Sequence, residues 1–492
     1  MISSWSMDLP ADLGMLPPCQ QACCIYGVNR MDKEKWANCC RQSIPCRKCP
    51  SHEMCHSWME YVDKHCDIRR YAHFGGKLSL RFRDIRKYVM NRDKVAVHSF
   101  YPFIHFQKKN IRFHKIPDKQ KTKIRELYYC SHLDRCVYQR YAFLLNYYYD
   151  IWVKTHGFDA AAVAYRAHLG KNNIDLVKGA FDAVRGTTRC FIWVGDLENF
   201  FDKLDHQYLK EMVCKVLETS RLPADFYAVF KNITKFSSID WGDVVKAAGE
   251  SLTTKRVRSK LNAKKQILTR EEFRSCKSDI KVHNSRIGIP QGSPISAVLA
   301  NVYMIEFDQR LYEYVKKHKG LYMRYSDDLF IMIPYESLED IPGYLENIHA
   351  QIGAMGGKIQ VQKEKTKAYV YTENTIYAYE EITDLKPDKI DYLGFIFDGR
   401  HIRVRPRSIT KYYYRMRRKA HTIGRMQWRS PKGRHIVPHR LYRIYSAGGR
   451  GRQTYIDYLR RAEAILELQD PEARALLRGY KRKIKMAIHE AE

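Results

Sequence analysis

Three aspartates on apolar runs are the residues of this 492-residue chain best placed to do chemistry. Residues 190–196, CFIWVGD, form an apolar run that ends in an acid. That pattern predicts a buried strand delivering Asp196 at its C-terminal end. Residues 321–333, LYMRYSDDLFIMI, set Ser326-Asp327-Asp328 between two apolar runs, so a hairpin with adjacent carboxylates near its tip is expected. Neighbouring like charges repel and raise one another's pKa, and a bound divalent cation would remove the conflict. Nucleotidyl transfer fits this arrangement. Two Mg²⁺ about 3.5–4 Å apart would activate a primer 3′-hydroxyl and clamp the triphosphate with its leaving pyrophosphate. Mg²⁺ takes few protein carboxylates plus phosphate oxygens, which three aspartates on two strands can supply. The plainer alternative is a pair of unrelated surface acids on a hairpin.

The elements around these acids have readable signals. Gln291-Gly292-Ser293-Pro294 predicts a tight turn into a helix, with Ser293 as cap and Pro294 in the first turn. Val298, Val302 and Ile305 would continue its buried face. Tyr138 to Val153 is an aromatic helical stretch. Near the C-terminus Tyr455, Leu459, Ala462 and Leu466 recur at helical spacing, and Asp470-Pro471 opens a last helix through Leu477, Tyr480 and Ile484. Residues 253–286 carry eleven Lys or Arg against three acids, which suits a solvated surface or a phosphate-backbone contact.

Bulk composition points the same way. Lys plus Arg number 86 against 54 Asp plus Glu, a net charge of +32. Such an excess repels itself unless a polyanion is at hand, and nucleic acid is the default partner. The absence of an apolar run of membrane-spanning length and of a secretion-type leader pattern leads to the expectation of an intracellular protein without membrane association. The 35 tyrosines suit wet surfaces or stacking on bases. Arg403, Arg405, Arg407, Lys411, Arg415, Arg417, Arg418 and Lys419 interleave with Tyr412, Tyr413 and Tyr414, as a nucleic-acid track would.

Taken together, these motifs resemble those of reverse transcriptases. Tyr325-Ser326-Asp327-Asp328 is similar to the YxDD box. Asp196, followed five residues later by Phe201, resembles the first palm motif, and Gly288 to Ser296 resembles the segment between them. Lys123-Ile-Arg125-Glu-Leu with Asp134-Arg135 resembles a fingers segment, with Glu126 standing where proline is usual. The resemblance implies an α+β right-hand polymerase: fingers, a palm with an antiparallel sheet and a helical thumb, plus a Cys-rich N-terminal extension. The segments would be 1–75 (extension), 76–185 (fingers), 186–398 (palm, with the basic insertion 253–286) and 399–492 (thumb and C-terminal region).

The resemblance also implies roles. Asp196 and Asp327 would hold two Mg²⁺ (or Mn²⁺), with Asp328 supporting and Leu197 offering its carbonyl. Phe201 would exclude a 2′-hydroxyl. Lys123 and Arg125 would grip the triphosphate, and Gln291 and Gly292 would lie against the incoming nucleotide. Lys365 would protonate pyrophosphate. Arg166, Tyr325, Ser326, Leu393 and Gly394 would meet template or primer. The expected partners are dNTPs, a non-coding RNA template, and RNA–DNA duplex or single-stranded DNA product, with a homo-oligomer left open.

The compact layout, without an HNH signature, is similar to the unknown-group and abortive-infection-like bacterial reverse transcriptases. That implies a cytoplasmic role in defence against phage. Rival readings are a retron-type enzyme, template-independent or protein-primed DNA synthesis by the same site, and a catalytically silent RNA-binding module. Nine cysteines lie in the first 66 residues. Cys46, Cys49 and Cys55 with His52 have zinc-like spacing, and reduced core cysteines are the competing reading.

Overall fold

The computed structural model describes residues 52–112, 121–166, 169–251, 253–355, 359–380, 385–425, 439–448 and 453–490. Contacts divide the chain into two units, one running up to Asp159 and including Asn199–Glu306, the other made of Ala160–Glu198 and Phe307–Glu492. The expected palm segment, 186–398, is a division by motif and contributes to both.

The first unit is built on a four-stranded sheet in the order Lys121–Tyr129, Phe103–Arg112, Ser237–Asp240, Lys281–Val282. Its longest pairing runs without interruption from Ile104↔Tyr129 to Arg112↔Lys121, so Glu126 sits inside a regular antiparallel strand. Strand Phe103–Arg112 pairs in parallel with Ser237–Asp240, Phe103 lying opposite Ser238 and His105 opposite Asp240. The aromatic stretch is a helix, His132–Thr155, whose N-cap Ser131 side chain accepts from the Asp134 N–H.

The basic insertion is folded. Helices Lys255–Ala263 and Arg270–Ser275 start at Thr254 and Thr269, each capping through its side chain. Leu261, Ile267, Leu268, Phe273 and Cys276 are buried in one core with Ile104, Ile239 and Trp241. The apolar residues of the insertion face the sheet, which leaves its cations for solvent.

The second unit holds a six-stranded antiparallel sheet in the order Leu385–Pro387, Thr375–Tyr379, Lys367–Thr372, Arg189–Asp196, Asp328–Pro334, Leu321–Tyr325. Arg189–Asp196 is therefore flanked on both sides, and its apolar run is buried as the sequence predicts for a central strand. Helix Asn173–Arg185 packs Ile174, Val177, Phe181 and Val184 into the same core as the small sheet Ile390–Tyr392, Phe395–Phe397 and Ile402–Val404. Tyr392 and Phe395 pair across a two-residue turn with Leu393 at φ 43° and Gly394 at φ 99°. Glycine takes that second conformation at no steric cost.

The final helices are where the sequence puts them. Tyr455–Leu466 begins at Thr454 in a capping box with Asp457. Pro471–His489 begins at Asp470, which accepts from the N–H groups of Glu472 and Ala473 and, through its other oxygen, from that of Val404 at 2.8 Å.

Two expectations are corrected. Ser293 is not a cap: the helix starts at Ser296 after Ile295, and the buried Ser293 hydroxyl has no hydrogen-bond partner among the described residues. Val298 and Val302 stay on the buried face, but a break at Met304 leaves Ile305 to open the next helix, Ile305–Lys317. The tyrosine triplet is also not one exposed track. Tyr412 is 5% exposed and belongs to the core, its hydroxyl donating to the Tyr445 carbonyl. Tyr413 is half-buried against it and only Tyr414 is open to solvent. Tyr138, Tyr141, Tyr149, Tyr303, Tyr322, Tyr371 and Tyr392 are likewise core residues, so most of the tyrosine excess in these elements serves packing. No helix among the described residues is long and apolar enough to cross a membrane.

Burial sets a clear contrast between the two neighbours. Tyr412→Ala is expected to destabilise the protein by about 3–5 kcal/mol, whereas Tyr414→Ala stays within about 0.5 kcal/mol. Urea unfolding followed by circular dichroism separates the two outcomes.

Candidate active site

The second unit gathers the three aspartates. Asp196 ends its strand directly opposite Asp328, which begins the neighbouring one. Tyr325 pairs with Asp328, so Ser326-Asp327 form the two-residue turn, and Ser326 adopts φ 61°. Backbone hydrogen bonds fix the ends of both strands. The Leu197 N–H donates to the Asp327 carbonyl at 2.9 Å and the Gln362 N–H to the Asp196 carbonyl at 2.8 Å. Leu197 is buried and bridges to Val361.

Electrostatics follow from this crowding. Burial, then Asp327, then Asp196 push the Asp328 carboxyl up to about 7, against smaller opposing pulls from Lys365 and Arg405. The Lys365 ammonium donates to Asp196 Oδ2 at 2.5 Å. A lysine thus occupies the position of a counter-cation on the acid cluster. Burial also holds the Tyr325 phenol above its usual value.

The carboxylate turn rests on a charged pair that lies outside the motifs. Arg324 and Asp308 are both fully buried and pair at 2.6 Å, with the Arg324 Nε a further 2.8 Å from Asp308 Oδ1. Tyr322 donates its hydroxyl to the same carboxylate at 2.7 Å. The remaining arm of the guanidinium, Nη1, donates to the Ser326 carbonyl at 3.0 Å. One signal was available: an Arg in the apolar run LYMRY and an Asp in YMIEFD are charges that burial would force to pair.

The loop before helix Asn173–Arg185 supports the same turn. The Arg324 N–H donates to the Ala161 carbonyl and its carbonyl accepts from Val163. Tyr165, at φ 65° and half-exposed, donates its hydroxyl to Ser326 Oγ at 3.0 Å. Arg166 is buried and donates to the Ala162 carbonyl at 2.9 Å, so in this structure it braces backbone. Leu393 and Gly394 form a tied turn: Asn173 bridges the Leu393 carbonyl and the Tyr458 hydroxyl at 3.2 and 2.9 Å, and the Arg405 N–H donates to the Gly394 carbonyl.

The other expected site residues lie in the first unit. Phe201 is half-buried in the turn Phe200–Asp202, and its carbonyl accepts from the Ile289 N–H. Gln291 donates to Asp202 Oδ1 at 3.4 Å, and burial raises the Asp202 carboxyl above its usual range. Gly292 has φ 120°, and a Cβ there would stand 2.3 Å from the Tyr128 carbonyl oxygen. The close approach that demands glycine is thus to this chain's own strand, whose Tyr128 N–H donates to the Gln291 carbonyl. Arg125 is exposed on that strand opposite Lys108, and Lys123 lies two residues earlier opposite Asn110. Glu126 contacts His105 Nε2 at 2.5 Å. Asp134 and Arg135 are buried, Asp134 accepting from His98 and the Tyr101 N–H.

The zinc expectation falls outside what is described: Cys46 and Cys49 lie in undescribed residues, as do the side chains of His52 and Cys55. Cys66, Cys130, Cys136, Cys190, Cys214 and Cys276 form no disulfide.

A family model, reverse transcriptase (RNA-dependent DNA polymerase), matches residues 116–397. The chain belongs to the reverse transcriptase family. No curated protein matches it. Among solved structures it is similar to the telomerase of Candida albicans solved with a fragment of telomeric RNA, at 13% identity, 94% of this chain, 73% of that one and a TM-score of 0.36. It is also similar to the apo telomerase of Candida tropicalis, at 10% identity, 93% and 73% coverage and a TM-score of 0.39. The assignment rests on the family model.

As a member of that family this reverse transcriptase is an RNA-directed DNA polymerase, and such domains use divalent metals. No group of three or more His, Cys, Asp or Glu among the described residues is already arranged as a metal cage. The donor chemistry nevertheless fits: desolvation and the two neighbouring carboxylates raise the Asp328 pKa, and a lysine ammonium sits on Asp196 as a substitute cation.

Two outcomes follow. The folded Asp328 group binds its proton more tightly than in the unfolded chain, so its contribution to stability is complete below about pH 4 and is lost as pH rises through about 7. In EDTA, Asp328→Asn is therefore expected to melt higher than the parent at pH 8 and alike at pH 4, as scanning calorimetry will register. Arg324→Met leaves Asp308 buried and unpaired and should cost about 3–5 kcal/mol, whereas the double change Asp308→Leu with Arg324→Met should recover most of that stability. Denaturant titration of the three proteins checks the pair.

Proposed function

We propose that this reverse transcriptase makes cDNA from dNTPs on a dedicated non-coding RNA, in the cytoplasm of a bacterium defending itself against phage. The observation that carries the catalytic part is Asp196 facing Asp328 across two strands, with Asp327 in the turn. Asp196, Asp327 and the Leu197 carbonyl would hold two Mg²⁺, with Asp328 beside them. Bound there, the metals would acidify the primer 3′-hydroxyl and neutralise charge on the leaving pyrophosphate.

This chain's own side chains supply the rest. Lys365, whose ammonium lies on Asp196, would donate a proton to the leaving pyrophosphate. Phe201 leaves no room for a 2′-hydroxyl. Lys123 and Arg125 take the triphosphate, Arg125 through its planar fork. Gln291 and Gly292 line the nucleotide. Tyr325, Leu393, Gly394 and Arg166 belong to the primer and template side. The defence setting is supported by the sequence resemblance alone.

Protein-primed synthesis is the second reading. It is favoured by the half-exposed Tyr165, whose hydroxyl stands at the Ser326 turn.

Incubating the purified protein with its co-purified RNA, labelled dNTPs and Mg²⁺, and sequencing the product, tests the proposal. DNA complementary to that RNA is expected. Product covalently held on a tyrosine would replace it with the second reading, and random or homopolymer DNA would overturn the RNA template. Asp327→Ala should lower synthesis by at least about a hundredfold and abolish protection in a plaque assay. Phe201→Ala should raise rNTP use relative to dNTP by roughly 10–200-fold, and unchanged discrimination would remove the steric gate.

A further inference from the structure

A basic groove lies within the first unit, on the folded insertion. It measures about 430 Å³ and is lined by Arg70, Tyr71, Lys255, Arg258, Ser259 and Asn262 with no acidic residue. Its walls are fixed to one another. The Ala72 N–H donates to Asn262 Oδ1 at 3.0 Å, and Lys77 Nζ donates to the Asn262 carbonyl at 2.7 Å. Tyr71 is pinned at both ends, its hydroxyl donating to the Cys130 carbonyl at 3.1 Å and its own carbonyl 2.9 Å from His132 Nε2.

The cations differ in how they are held. Lys260 is neutralised by Glu250 and Lys281 by Asp240. Arg70, Lys255 and Arg258 make no ion pair among the described residues. Arg258 is instead positioned by rings, its guanidinium 5.2 Å from the Trp241 centroid and 5.6 Å from that of Phe106. Cation–π stacking orients a guanidinium without cancelling its charge. Three cations without an ion-pair partner among the described residues, beside this fixed floor, form an anion site in which Arg258 is already oriented.

The groove's openness selects the ligand. A mononucleotide or free phosphate needs enclosure to bind well. A polymer gains by adding shallow contacts along its length, each releasing counterions. We propose that Arg70, Lys255 and Arg258 form a binding site for the phosphate backbone of RNA. The choice of RNA among polyanions rests on the RNA-templated reading above. The site works by charge and fit to the backbone, so it holds RNA without reading its sequence.

Fluorescence anisotropy with a labelled single-stranded RNA, in the absence of dNTPs and across a salt series, tests this on the full chain. Because nothing is synthesised, the result stands whether or not the templated reading does. Arg70→Ala with Lys255→Ala removes two exposed cations and leaves the cores intact. The expected result is a Kd raised roughly tenfold and a slope of log K against log salt shallower by about 1.4, at about 0.7 per single-strand phosphate. Lys316→Ala with Lys317→Ala removes the same charge from exposed positions of the second unit and is expected to change neither. The proposal fails if the groove variant binds RNA like the parent, or if the control variant weakens binding equally, which would mark a bulk-charge effect. It also fails if only single-stranded DNA of the same sequence loses affinity, or if inorganic phosphate or a dNTP displaces RNA at the same phosphate concentration.

Discussion

The carboxylate turn depends on one buried ion pair. Ser326 is held in a left-handed conformation that a residue with a Cβ avoids unless its surroundings impose it. Arg324 imposes it from beneath by donating to the Ser326 carbonyl, and Arg324 is in turn held by Asp308 and, through Asp308, by Tyr322. Two full charges in a dry interior are tolerable because both Asp308 oxygens and all three guanidinium nitrogens of Arg324 are engaged. The pair links helix Ile305–Lys317 to strand Leu321–Tyr325, so the position of the Asp327 backbone is set by an element that carries none of the three aspartates.

Above that support, the acid cluster copes with its own charge in the absence of metal. Asp328 retains its proton to about pH 7, and Asp196 borrows the ammonium of Lys365. The polar network around Gln291, Asp202 and Tyr128 is built differently: main-chain contacts and one obligatory glycine fix it.

Much of this was legible in the chain because the signals were local. An apolar run ending in Asp196, two apolar runs flanking Ser326-Asp327-Asp328, and Asp470-Pro471 ahead of a helical period each state their structure within a few residues. The misjudged features are non-local. Whether Tyr412 stacks on a base or fills a core depends on Tyr445 and Tyr455, more than thirty residues away. Ser293 matches a cap by type, but its hydroxyl is buried before the helix begins. Gly292 is expected against an incoming nucleotide, and only the fold adds Tyr128 of this chain as the backbone a side chain there would meet. Asp308 and Arg324 explain each other only once their pairing is known.

The order of strands in the six-stranded sheet also governs how the chain must be made. Arg189–Asp196 lies at the centre, between partners that begin at Asp328 and Lys367. About 130 residues therefore separate the end of the central strand from its first partner. At about 5–20 residues per second, a ribosome takes roughly 7–26 s to supply it. Throughout that interval Cys190, Phe191, Ile192, Trp193 and Val194 present an apolar strand with both edges unpaired. The strand that delivers Asp196 thus waits with open edges, exposed to wrong pairing, until its first partner is made.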